Sequence, residues 1–172
     1  MSGKFTQAVK LSLRLDAPVY FAIKDEATKE GLEAGEAIQR ILTRHAINKE
    51  LLSAESAEDY RLLWQLVDEA VQVAKKFCRD GDFSSDITLK TIEACMSKKD
   101  WAEGYERYVR DNPYKNGNPR KGPINKEIGF RIREGIGGRV KMVGGKAVKV
   151  AVNGSIIQSY TVMEQFDKSA FN

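Results

Sequence analysis

The sequence predicts an α+β fold, mainly helical, with small β elements at its two ends. Three observations carry this. Residues 9–15 alternate strictly between apolar and polar, residues 56–79 hold a long apolar stripe at 3–4 spacing, and alternation returns after Gly137-Gly138. Together they divide the chain into an N-terminal unit over 1–48, a connecting helix within 49–82, a basic unit over 83–163 and a tail over 164–172.

The first element, VKLSLRL, places Val9, Leu11, Leu13 and Leu15 on one face and Lys10, Ser12 and Arg14 on the other. Asp16 caps the helix that follows, Pro18 fits its first turn, and Gly31 stops it. A second helix, from about Glu33, carries Ala37, Ile38, Ile41 and Leu42 at helical spacing and ends between His45 and Asn48. The third helix, 56–79, aligns Tyr60, Leu63, Leu66, Val67, Ala70, Val71, Ala74, Phe77 and Cys78, and Asp80-Gly81 ends it. Its region, 47–82, holds five basic and eight acidic residues. That balance makes it a poor contact for nucleic acid and suggests a connector, or an oligomer-forming helix that offers a tetramer contact.

Two shorter helices are expected at 86–97 and 100–111. Trp101, Tyr105 and Tyr108 share a face of the second; at this spacing they read as core, with stacking on bases as the other reading. Residues 112–123 contain three prolines, two glycines and three asparagines and form a loop. A helix capped by Asn125 then aligns Ile128, Ile132 and Ile136. The runs RVKMV, KAVKVAV and SIIQSYTVM are joined by Gly144-Gly145 and Asn153-Gly154, the dipeptides that primed turns need. They predict a three-stranded antiparallel meander, with fraying after about Met163.

Charge is uneven. Residues 1–46 are nearly neutral, whereas 107–149 carry twelve basic against three acidic residues, which attracts a polyanion. A basic surface serving only solubility is the plainer alternative.

A lone N-terminal strand must pair its backbone groups with something. The next segments are helical, so the nearest strand belongs to a second copy, giving an intermolecular antiparallel ribbon and an obligate homodimer. A two-stranded ribbon fits the major groove of double-stranded DNA, where Lys and Arg suit guanine and Ser serves either partner. The alternating KLSLRLD, the turn at Gly31 and the EAIQRIL of the second helix resemble the ribbon-helix-helix family, the Arc and MetJ repressor class, over about residues 8–46. The resemblance implies that Lys10, Ser12 and Arg14 read bases. It departs at the start of the second helix, where Glu33, Ala34 and Gly35 replace the family's usual serine or threonine; Glu33 would repel a docked phosphate.

Helices followed by a basic meander suggest a winged helix-turn-helix, with the helix at 125–136 as its recognition helix. There Lys126, Phe130 and Arg133 fall away from the isoleucines, with Arg131 between the two faces. The wing would carry Arg139, Lys141, Lys146 and Lys149 toward phosphates. The segment INKEIGFRIREGIGGRVKMVGGK resembles in pattern the winged helix that accompanies phage and plasmid primases. The alternative is an α+β interaction domain with a basic rim that docks a protein partner.

Several classes are excluded. No run approaches the roughly 18 apolar residues of a membrane span, and MSGKFTQAVK lacks a secretory apolar region, so the expected location is cytoplasmic. Cys78 and Cys95, far apart and without a CxxC, read as reduced thiols, with a disulfide as the minority reading. Two cysteines and one histidine, His45, do not supply a zinc site, and His45 reads as structural. Gly144-Gly145-Lys146 is no P-loop, Gly135, Gly137 and Gly138 form no dinucleotide fingerprint, and the carboxylates form no isolated acid–base pair. The expected function is therefore a non-enzymatic, homodimeric, sequence-specific DNA-binding protein acting as a repressor without cofactor or metal. The alternatives are an accessory DNA-binding protein of plasmid transfer, partition or replication, and a phage anti-defence or antitoxin-like protein that blocks a nucleic-acid-binding partner.

Overall fold

The computed structural model describes residues 10–30 and 32–171, and the chain divides into two units, Met1–Ile41 and Leu42–Asn172. The fold is mixed α+β and mainly helical, with small antiparallel sheets near the C-terminus.

In the first unit, residues 10–16 form no strand within the single chain; Val9 lies outside the described residues. Helix α1 (Ala17–Glu30) begins where Asp16 and Pro18 require, and the Tyr20 amide donates to the Asp16 carbonyl at 3.0 Å. After it, the Leu32 amide returns to the Ala27 carbonyl at 2.8 Å, and α2 (Ala34–Asn48) follows. Among the described residues the buried core here is Ala27, Leu32 and Ala37, with Ile23 against them.

In the second unit, α3 (Ala54–Arg79) is the central helix. Ser53 caps it, accepting from the Ser56 amide at 3.2 Å, so it starts earlier than the spacing at Ser56 suggested. Its stripe is not a free connector or an open tetramer contact. Leu66, Val67, Ala70, Val71, Ala74 and Cys78 are covered within the chain by α4 (Ile87–Met96), α5 (Lys99–Val109) and α6 (Lys121–Gly135). Only its N-terminal end stays open, at Tyr60. Two glycines allow the close approach: a Cβ on Gly104 would meet Leu62 and Leu66 at 3.4 Å, and one on Gly135 would meet Val71 at 2.6 Å. Trp101, Tyr105 and Tyr108 are buried, and Trp101 Nε1 donates to the Leu66 carbonyl at 3.1 Å.

Helix α6 starts four residues before the expected cap. Pro123 is tolerated in a first turn, whose amides have no helical partner anyway. Asn125 is therefore inside the helix and caps nothing; it accepts from the Tyr105 hydroxyl at 2.7 Å and donates to the Ile156 carbonyl at 3.0 Å.

The meander is replaced by three two-stranded arms. Strands β2 (Met142–Val143) and β3 (Lys146–Ala147) form a hairpin, whose turn takes positive φ at Gly144 and Gly145. Strand β4 (Lys149–Ala151) pairs with β5 (Ser159–Thr161), and β1 (Arg139–Val140) with β6 (Met163–Gln165). The arms meet at a closed ring of backbone bonds, each 2.9 Å: the Lys141 amide donates to Val162, Val162 to Val148, and Val148 to Lys141. Each segment changes partner at its ring residue, so no continuous three-stranded sheet forms. Asn153-Gly154 is not a two-residue turn but part of a loop over 152–158. Ile156 and Ile157, expected in a strand, are instead buried in the helical core. The chain beyond Met163 is also held. Phe166 packs on Phe83 with ring centroids 5.0 Å apart, the Asp167 amide bonds to the Ile136 carbonyl at 3.0 Å, and a 3-10 turn spans Lys168–Phe171.

Candidate nucleic-acid interface

In the first unit, Lys10, Ser12 and Arg14 are exposed, and so are the leucines between them: Leu11 is 74% and Leu13 55% exposed. Glu33, just ahead of α2, is exposed as well. Farther along α2, Glu36 pairs with Arg40 at 3.4 Å, so the first turn of this helix offers an acid rather than a hydroxyl.

In the second unit, much of the basic charge is neutralised at home. Arg107 pairs with Glu58, Arg110 with Glu55 and Asp59, Arg120 with Asp59 at 2.7 Å, and Lys115 with Asp111 at 2.9 Å. This network crosses from α3 to the end of α5, where Arg110 takes a positive φ of 57° as the helix cap. The Lys121 ammonium is buried and donates to the Lys115 carbonyl at 2.9 Å; burial lowers its pKa.

Arg131 is a correction. It is 2% exposed and so offers no surface to DNA. It stands three residues after Ile128 and four before Gly135, both buried, which puts it on the core face of α6. It lies close enough to Lys75 of α3 that its charge helps depress the Lys75 pKa, after burial and Arg79.

Among the described residues, Lys126, Arg139, Lys141, Lys146 and Lys149 are exposed and make no ion pair. Lys141 and Lys146 flank the β2–β3 hairpin, whose Met142 and Val143 are also open to solvent. Lys126 and Lys149 belong to a different place. They line a groove of about 560 Å³ between the outer face of α6 and the β4–β5 arm. Gly129, Phe130 and Arg133 supply the helical wall, and Tyr160 and Thr161 the strand wall. Phe130 is 41% exposed, with the Arg133 guanidinium 5.1 Å from its ring centroid. Arg133 also pairs with Glu134 at 2.9 Å.

The structure thus gathers Lys126, Arg133 and Lys149 around one groove and leaves Arg139, Lys141 and Lys146 outside its lining. Sequence reasoning missed Tyr160 and Gln158 as groove residues; nothing in the mixed run SIIQSYTVM singles them out. Among the described residues, no cluster of three or more His, Cys, Asp or Glu is placed to hold a metal, and no helix is long and apolar enough to cross a membrane. Compared with known proteins, the chain matches no family model, no curated protein and no solved structure.

Proposed function

We propose that this chain is a homodimeric, sequence-specific DNA-binding protein that acts as a repressor. Two copies of the segment around residues 10–15 pair as an antiparallel ribbon in the major groove, in a ribbon-helix-helix arrangement. A wing-like role for the C-terminal arms supplies phosphate contacts. One observation carries the reading: the first unit leaves several large apolar side chains in water. Leu11 and Leu13 are joined by Val19, Phe21 (57% exposed) and Ile41, whereas the buried core among the described residues holds Ala27, Leu32 and Ala37. So much apolar surface on so small a unit calls for a partner, and a second copy provides strands as well as cover. Pairing the leucine faces over the helices leaves Lys10, Ser12 and Arg14 outward, where base edges can be met.

The test has two parts. Sedimentation equilibrium of the full chain at micromolar concentration is expected to give a dimer; a folded monomer would overturn the reading. Selection from random DNA is expected to enrich one motif, and Arg14→Ala to relax it, losing about 1–3 kcal/mol of discrimination. Unchanged base preference in Arg14→Ala would remove the ribbon as the reader.

A further inference from the structure

We infer that the groove between α6 and the β4–β5 arm binds single-stranded DNA, at a site separate from the ribbon. A helix that reads a duplex must protrude, because it has to enter a major groove about 12 Å wide. The outer face of α6 instead forms the wall of a concavity. The β4–β5 arm stands opposite it, and Asn116, Gly117 and Asn118 contribute to the lining from the preceding loop. The space, about 560 Å³, falls in the range of pockets that enclose small ligands, roughly 300–1,000 Å³. A strand presenting its bases singly can enter such a space, and a duplex cannot.

The chemistry of the lining fits that occupant. Lys121, Lys126, Arg133 and Lys149 line it, and no carboxylate is among the described lining residues. Lys121 is committed to a backbone carbonyl and Arg133 partly to Glu134, so Lys126 and Lys149, on opposite walls, are the cations open to phosphates. Phe130 on the helix and Tyr160 on β5 bring aromatic rings into the same groove. Every base has a π-face, so stacking on these rings tolerates any sequence. Arg133 against Phe130 extends the platform, since guanidinium planes also stack on bases. Aromatic rings also serve protein interfaces, so competition by polyglutamate separates an acidic protein from a nucleic-acid strand.

The experiment uses the full chain and fluorescence anisotropy with labelled oligothymidylate. Oligouridylate, polyglutamate and a random-sequence duplex serve as competitors. Oligothymidylate is expected to bind and to be displaced least by polyglutamate. Phe130→Ala should weaken binding about tenfold, and Phe130→Leu, which keeps apolar bulk without a π-face, should weaken it too. Replacing Lys126 and Lys149 together with alanine should reduce the salt slope by about 1.4, near 0.7 per phosphate of a single strand. Replacing Lys10 and Arg14 should leave oligothymidylate binding unchanged, so failure of the ribbon reading would show separately, as base preference on duplex that ignores Arg14. Full affinity in a natively folded Phe130→Leu protein would overturn the inference. So would tighter binding of oligouridylate, or competition by polyglutamate that depends on the lysines but not on Phe130; the last result would assign the groove to an acidic protein.

Discussion

The Tyr105 hydroxyl donates a 2.7 Å hydrogen bond to Oδ1 of Asn125, and Nδ2 of the same amide donates to the Ile156 carbonyl at 3.0 Å. One side chain of α6 thus ties α5 on one side to the loop before β5 on the other. The arrangement needs an acceptor and a donor on a single planar group. Asn125→Ala removes both bonds and should destabilise the fold by about 2 kcal/mol. Asn125→Asp should cost more at neutral pH, because a carboxylate oxygen would then face the Ile156 carbonyl with no proton between them. Urea denaturation of the two variants checks the order. An Asp variant as stable as the Ala variant would show that the Ile156 bond contributes nothing.

A second close relationship sets how α6 crosses α3. A Cβ at Gly135 would lie 2.6 Å from Val71 Cγ1. The valine is β-branched on a helix and has little rotamer freedom with which to give way. Gly135→Ala should therefore destabilise by about 1–3 kcal/mol despite the higher helix propensity of alanine. Val71→Ala in the same chain should restore part of the loss. A double-mutant cycle with no coupling between the two positions would contradict the close contact.

The helices were largely legible in the sequence because their signals are local. Asp16 and Pro18 open α1, and the stripe of α3 repeats over about five turns. The C-terminal arms were less legible, because alternation says which residues pair but not where a strand changes partner. The ring of Lys141, Val148 and Val162 is a tertiary outcome, and Ile156 and Ile157 leave the strand because the helical core takes them in. Arg131 misled because charge suggested a surface position, although its spacing from Ile128 and Gly135 already placed it on the core face. The groove draws its walls from residues up to 75 positions apart, Thr88 to Met163, and no local pattern joins them.

The two cysteines make stability depend on alkaline pH. Both are free and buried, and burial pushes each thiol from 9.0 up to about 11. In the unfolded chain they ionise near their ordinary value. Between about pH 9 and 11 the unfolded state thus holds fewer protons than the folded one, and stability falls as pH rises; below pH 9 this effect is absent. Above pH 10 the phenols of Tyr105 and Tyr108, also raised by burial, act in the same direction. Lys75 and Lys121 oppose them, because their lowered pKa values make their contributions grow with pH. Urea midpoints should be flat in this respect up to pH 9 and then drop. The drop should be smaller in Cys95→Ala, and a thiol reagent at pH 8 should label neither cysteine until the protein unfolds. Fast labelling of the native chain would contradict the burial.

The last prediction separates the arms from the groove. Arg139, Lys141 and Lys146 are exposed, make no ion pair among the described residues and lie outside the groove lining. If the arms act as a wing on duplex DNA, these cations meet phosphates, and each contact releases condensed counterions. Replacing all three with alanine should flatten the salt dependence of duplex binding by up to about 2.7, near 0.9 per phosphate. Affinity should fall equally for specific and random sequences, since backbone contacts carry no direct sequence information. Base preference, proposed to lie with Lys10, Ser12 and Arg14, should not move. The measurement is a salt titration of wild type and the triple variant on a selected site and on random duplex. Parallel slopes and equal affinities would show that the arms do not touch DNA. The exposed Met142 and Val143, flanked by Lys141 and Lys146 on the β2–β3 hairpin, would then fit better against an acidic protein whose own surface offers an apolar patch.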